Sequence, residues 1–297
     1  MIRHLLVLLI MPAGLLFGGC TADLDEMTPE KAELSVTVQT ADYQEESKAI
    51  FTGTTLTSGS IGLSMVRSSD DGAYDGKSYN NLQFTYSSSK WSCSTPIYLS
   101  PTSGMVYAYY PYSSSASITA VPIDVSTNND YMYATAVNVS HTSTAAALTM
   151  KHALAAVTIT VMKGTYTGTG SITACTWNSA TAGKKASMNA KTGALNSITG
   201  GGEAFNTGLT SSSPLTVNTN GTSYTFLVVP TATAGKITFN VTMDGKAYAV
   251  ETSSITYTAG KRYNYNLVMD SKEMTLSGIT VTGWNGVTGG SYTPVRQ

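Results

Sequence analysis

The chain predicts an all-β protein, and three observations carry that reading. Short runs of alternating apolar and polar residues recur along most of its length, the period-2 pattern of half-buried strands. Clusters of Gly, Ser and Asn separate the runs, and Asp244-Gly245 between two of them is a strong hairpin signal. Ser, Thr and Gly are abundant, and Tyr (18) far outnumbers Phe (6), which suits strands with a polar outer face. Many short strands joined this way indicate antiparallel β-sandwiches.

Taken in order, AELSVTVQT sets Leu34, Val36 and Val38 on one face of a first strand over 33–39. SIGLSMV does the same with Ile61, Leu63 and Met65, and NLQFTY with Leu82, Phe84 and Tyr86. GMVYAYYPYSS places Val106, Ala108 and Tyr110 on one face and Met105, Tyr107 and Tyr109 on the other, until Pro111 ends it for want of a ladder donor. The stretch STAAALTMKHALAAVTITVMKG is ambiguous. Its Ala and Leu favour a helix, its VTITV favours a strand, and two strands broken near 153–156 fit equally. The polar segment before it, 138–143, is the expected domain boundary. From 171 to 213 the Gly-, Ser- and Thr-rich sequence predicts short strands and long loops. TSYTFLVVP, GKITFNVTMDGKAYAVET and KRYNYNLVMD complete the set of alternating runs.

The N-terminus reads differently. Arg3 and His4 precede an apolar run, 5–17, that is shorter than the roughly 20 residues of a membrane-spanning helix. It ends in LLFGGC. A basic start, a short apolar run and small residues describe an export leader, and Leu16-Phe17-Gly18-Gly19-Cys20 resembles a bacterial lipobox. In such leaders the signal is cut before the cysteine, whose thiol is then acylated, by palmitate or a similar fatty acid. Residues 1–19 are therefore expected to be a signal peptide and Cys20 the lipid anchor. Asp23, Asp25 and Glu26 follow. They resemble acidic signals that send Bacteroidota lipoproteins to the outer face of the outer membrane, and also suit a solvated tether.

Charged residues make up 12% of the 297 and the net charge is −1, without the basic footprint that nucleic acid requires. Beyond Cys20 there are two cysteines, Cys93 and Cys175, expected in separate domains as buried, unpaired thiols. Catalytic signatures are missing: no Gly-x-Ser-x-Gly, P-loop, His-Glu-x-x-His or Cys-x-x-Cys occurs. His152, flanked by apolar residues, reads as a core histidine, and His141 lies in a polar linker. Asp70, Asp71 and Asp75 in SSDDGAYDGK suit a solvated turn better than a calcium loop, which needs a fuller ligand spacing and a bidentate Glu. The expectation is a protein that is not an enzyme, with no cofactor and no metal. Tyr107, Tyr109, Tyr110 and Tyr112 read first as core and second as surfaces for sugars.

The lipobox at Cys20, AELSVTVQT, SKAIFTG, WSCSTPIYLSPTSGMVYAYYPYSS, YMYATAV, LTMKHALAAVTITV, YTFLVVP, GKRYNYNLVMD and GITVTGWNG, in this order and spacing, resemble the fimbrillin (Mfa-like) proteins of Bacteroidales. The resemblance implies two tandem transthyretin-like β-sandwich domains, here 20–140 and 141–297. It implies a surface-exposed fimbrial subunit, held in the outer membrane by lipid, that serves adhesion and biofilm formation. Its partners would be other fimbrial subunits and a surface receptor. It further implies donor-strand exchange: a protease cuts behind the first strand, the strand carrying Leu34, Val36 and Val38 leaves, and a strand of another subunit fills the groove. The family's usual cut follows an arginine. Here none lies between Arg3 and Arg67, and Lys48 in YQEESK stands in its place. Either Lys48 is cut or the subunit stays uncut, as an anchor would. A monomeric surface lipoprotein that binds glycans through its tyrosines is the alternative.

Overall fold

The structure is a computed structural model that describes residues 32–41 and 55–284, and the backbone of 288–292. Among the described residues, twenty-one strands and one short 3-10 turn make up the regular structure. The first part of the chain carries β1 (Ser35–Thr40), β2 (Ser60–Arg67), β3 (Tyr79–Ser87), β4 (Lys90–Ser92), β5 (Gly104–Tyr110) and β6 (Val121–Asp124). There follow β7 (Met132–Ala134), β8 (Val137–Val139), β9 (Ala145–His152), β10 (Ala155–Lys163), β11 (Ser171–Asn178) and β12 (Lys185–Asn189). The remainder supplies β13 (Ala194–Thr199), β14 (Phe205–Asn206), β15 (Leu215–Thr216), β16 (Thr222–Val228) and β17 (Thr238–Met243). The last are β18 (Lys246–Glu251), β19 (Lys261–Met269), β20 (Met274–Gly283) and β21 (Thr288–Tyr292). The all-β expectation holds.

Four sheets result. The first runs β1-β9-β7-β5-β2-β3-β4, with β8 also paired to β5. Two further sheets, β16-β10-β19-β20-β21 and β14-β11-β17-β18 with β15 on β11, face each other as a sandwich. Val157, Ile159, Tyr265 and Leu267 of one meet Trp177, Phe239, Val241 and Met243 of the other in a single buried cluster. The fourth sheet is a three-stranded ladder, β13-β12-β6.

The ambiguous stretch resolves as two strands. β9 alternates inward Ala146, Leu148, Met150 and His152 with outward residues, and β10 begins after Ala153 and Leu154. Helix propensity of the alanines amounts to tenths of a kcal/mol per residue. Pairing with β1 on one side and β7 on the other overrides it. β9 lies downstream of the boundary expected at 140/141, yet it belongs to the first sheet. The chain changes sheet at Ala153 and Leu154.

β5 explains its own sequence. Val106 and Ala108 point into the first core, and Tyr107 and Tyr109 into the second. A strand apolar on both faces is one buried on both faces. Tyr109 is fully buried, and its hydroxyl donates to Asn81 Oδ1 at 2.6 Å. Its ring passes so close to Gly62 that a Cβ there would fall 2.2 Å from it, so Gly62 is needed for this approach.

The Asp244-Gly245 hairpin forms between β17 and β18 as expected, with both residues at positive φ (46° and 76°). That backbone is the one a two-residue primed turn requires. The Asp244 carboxylate also accepts hydrogen bonds from the Gly170 and Ser171 N–H groups (2.9 and 2.8 Å) and the Tyr166 hydroxyl (2.8 Å).

Candidate functional site: the terminal strand and its groove

β1 closes one end of the first sheet and pairs with β9 in parallel, Ser35 opposite Ala145 through Thr40 opposite Met150. A parallel pair cannot be joined by a tight turn, and here some 110 residues separate the partners, as the Gln39–Thr149 side-chain bond shows (3.1 Å, 110 apart in sequence). The strand's alternation places Leu34, Val36 and Val38 in the core at 7, 7 and 2% exposure, while Ser35, Thr37 and Gln39 face outward. Beneath them lie Leu56, Ile61, Leu63, Ile97, Leu148 and Met150. Ala146 on the adjacent β9 and Ala134 on β7 belong to the same buried cluster.

The other edge of β1 is held by two short contacts. Leu34 N–H donates to Ile97 O (2.8 Å) and Leu99 N–H to Ala32 O (2.8 Å), so the segment after β4 meets β1 and the sheet curls back around its core. Farther along, Leu56 N–H donates to Val38 O (3.2 Å), and Gln39 bridges Thr55. β1 is thus covered on both edges, but by one parallel ladder and two fragments. Burial of its three apolar side chains contributes roughly 1.5–3 kcal/mol each. Cys20 and Lys48, the expected lipid and cleavage sites, lie outside the described residues.

The other sequence candidates are dispersed. Cys175 is buried in the second core and Cys93 is half-buried beside the first; neither forms a disulfide. Burial pushes the Cys175 thiol up to about 11. In the acidic loop, Asp70 pairs with Arg67 at 2.9 Å and Asp71 with Lys191 at 2.8 Å. The Gly72 N–H and then the Arg67 side chain hold the Asp70 carboxyl below its ordinary value. These carboxylates face cations of the protein, and among the described residues no group of three or more His, Cys, Asp or Glu is placed to share a metal ion. His152 is 5% exposed, with Nδ1 2.8 Å from Asp130 Oδ2. The two groups approach closely without a hydrogen bond of good geometry between them. Of the tyrosines, Tyr107 and Tyr109 are core residues and Tyr110 and Tyr112 half-buried. Among the described residues no helix is long and apolar enough to cross a membrane.

Solved structures share this architecture. A candidate cell-adhesion protein of Bacteroides uniformis superposes with a TM-score of 0.60 at 21% identity, covering 86% of this chain and 99% of the other. A second, from Bacteroides ovatus, gives 0.62 at 12% identity over 89% and 98%. A fimbrial protein of Bacteroides vulgatus gives 0.50 at 13% over 85% and 99%. At these identities the likeness is one of fold. No curated protein matches the chain. The fimbrillin-like family model matches residues 47–284, from the segment behind β1 to Trp284 at the end of β20. With four-fifths of its length under that match, the chain belongs to the fimbrillin-like family.

Proposed function

We propose that this protein is a structural subunit of a surface fimbrium, exported as an outer-membrane lipoprotein through Cys20 and assembled by exchange of β1 for a strand of another subunit. Family membership supports the fimbrial part. The observation that carries the exchange is β1 itself. It is a terminal strand, in parallel pairing with a partner far away in sequence, plugging a core with three side chains. Its departure would leave a row of unpaired backbone groups on β9 above an apolar trough, the arrangement a donor strand completes. Cleavage at Lys48 would free β1 from the rest of its sheet. Two tandem transthyretin-like domains fit the two cores, with the junction at Ala153 and Leu154 rather than 140/141. The assembled fimbrium would serve adhesion and biofilm formation.

The test is assembly in solution. Precursor treated with a lysine-cutting protease is mixed with fresh subunits and followed by light scattering and electron microscopy, beside Lys48→Ala. Filaments from the cut protein alone support the proposal. Cut protein that stays monomeric removes the stalk role and favours a tip or anchor. A fatty-acid analogue that labels wild type but not Cys20→Ala checks the anchor.

A further inference from the structure

The sandwich formed by the two C-terminal sheets is open along one side. There the edge strands β14 and β16 flank a cleft of about 430 Å³, bordered by the turn after β6. Its volume lies in the range of small-ligand pockets, roughly 300–1,000 Å³. Its aromatic surface is specific. Phe205 has both faces covered, one by Trp177 stacked at 4.3 Å and the other by the Lys184 ammonium at 4.9 Å. Phe226 packs edge-to-face with Phe205 and Trp177 at 6.1 and 5.9 Å, and it and Tyr224, both half-buried on β16, line the cleft with their remaining exposed surface.

The rim is polar. Asn128 is held in left-handed backbone (φ 54°) by its own N–H donating to Val125 O, and is exposed. Among the described residues its side-chain amide has no hydrogen-bond partner, whereas Asn206 Oδ1 and the Thr225 hydroxyl already have one each. The Tyr224 hydroxyl is likewise unpaired among the described residues. Burial raises its pKa, so it stays protonated and can donate. Charge in the cleft is balanced, since Lys184 Nζ donates to Ala204 O at 2.7 Å and lies 3.4 Å from Glu203.

We infer that this cleft is a binding site for a neutral sugar residue, with Phe226 and Tyr224 as the apolar platform and Asn128 and the Tyr224 hydroxyl as hydroxyl-reading groups. A wholly apolar ligand would strand the amide and hydroxyl at the rim. An anionic one would find Lys184, the cation among the described lining residues, already paired. A pyranose matches both surfaces, with a C–H face for the rings and hydroxyls for the unpaired donors and acceptors. The site stands apart from the β1 groove and does not depend on polymerisation.

The experiment uses the uncut protein and saturation-transfer NMR against methyl glucoside, galactoside, mannoside and fucoside, N-acetylglucosamine, and cyclohexanol as an apolar control. At least one sugar should show saturation of its ring protons. Asn128→Gly, which keeps the left-handed backbone, and Tyr224→Phe should each weaken that binding about fivefold or more, the effect of a lost hydrogen bond. The inference is overturned if no sugar is saturated, if cyclohexanol alone is, or if both variants bind as wild type does. Because no assembly step is involved, failure here leaves the fimbrial reading standing, and the reverse holds too.

Discussion

The imidazole of His152 stacks on the indole of Trp284, their centroids 4.3 Å apart and their planes 13° from parallel. His152 ends the last strand of the first sheet and Trp284 follows the end of β20. Their contact is tied down by backbone, since Trp284 N–H donates to Gly260 O (2.7 Å) and Gly260 N–H to Leu154 O (2.8 Å). The stack therefore sits at the point where the chain changes sheet, with the buried Asp130 carboxylate behind it.

Removing one partner of that buried pair should cost far more than removing both. His152→Leu leaves Asp130 without its counterpart and should lower unfolding free energy by about 3 kcal/mol or more. Combined with Asp130→Leu, the loss should shrink, because an apolar pair of similar volume carries no desolvation cost. Urea denaturation of the two single variants and the double decides it. Additive losses would show that the two residues do not act as a pair.

Thiol chemistry should separate the two free cysteines. Cys175 is fully buried with its pKa pushed up to about 11, so native protein at pH 8 should alkylate there more than about a hundredfold more slowly than at Cys93. Peptide mapping after iodoacetamide treatment, native and in urea, reads this directly. Equal labelling of both in the native state would contradict the buried placement of β11.

Acid should dissolve the contribution of Asp244. The Gly170 N–H, opposed by desolvation and helped by Ser171 and Tyr166, holds its carboxyl below the ordinary 3.8. A group with a depressed folded pKa stabilises the fold above its unfolded value and loses that effect as pH falls through the folded one. Asp244→Asn should therefore cost a constant amount between pH 7 and 5, about 1 kcal/mol or less given its exposure, and less below pH 4. Stability measured across that range gives the difference, and a penalty that grows in acid would refute it.

What the sequence made legible was local. Asp244-Gly245 announced its turn because two positive φ values in succession favour those residues. Leu34, Val36 and Val38 announced a buried face because strand periodicity needs no knowledge of the partner. The partner itself was hidden. β9 lies far along the chain, in an alanine-rich segment whose propensities point to a helix, and only its two neighbours make it a strand. β6 was hidden too, since Val-Pro-Ile-Asp is four residues with a proline, which an edge position tolerates. The sugar cleft left no motif. Tyr224 and Phe226 read as ordinary alternation, and Asn128 comes to them from a turn nearly a hundred residues earlier.

The small ladder β13-β12-β6 has a mechanical meaning. β6 comes from the chain between two strands of the first sheet, and β12 from the part that follows the change of sheet at Ala153 and Leu154. Lys185 through Met188 pair with Asp124 through Val121, and Lys185 Nζ lies 3.3 Å from Asp124. The ladder is therefore a tie between the halves besides the covalent chain, and it stands with Tyr107 and Tyr109 in the second core, the Lys191–Asp71 ion pair and the His152–Trp284 stack. In the fimbrium proposed above, a pull that parted the halves would have to break the antiparallel rungs between β6 and β12. Where a single linker would leave a hinge, the ladder adds hydrogen-bonded rungs between the parts of the chain on either side of Ala153 and Leu154.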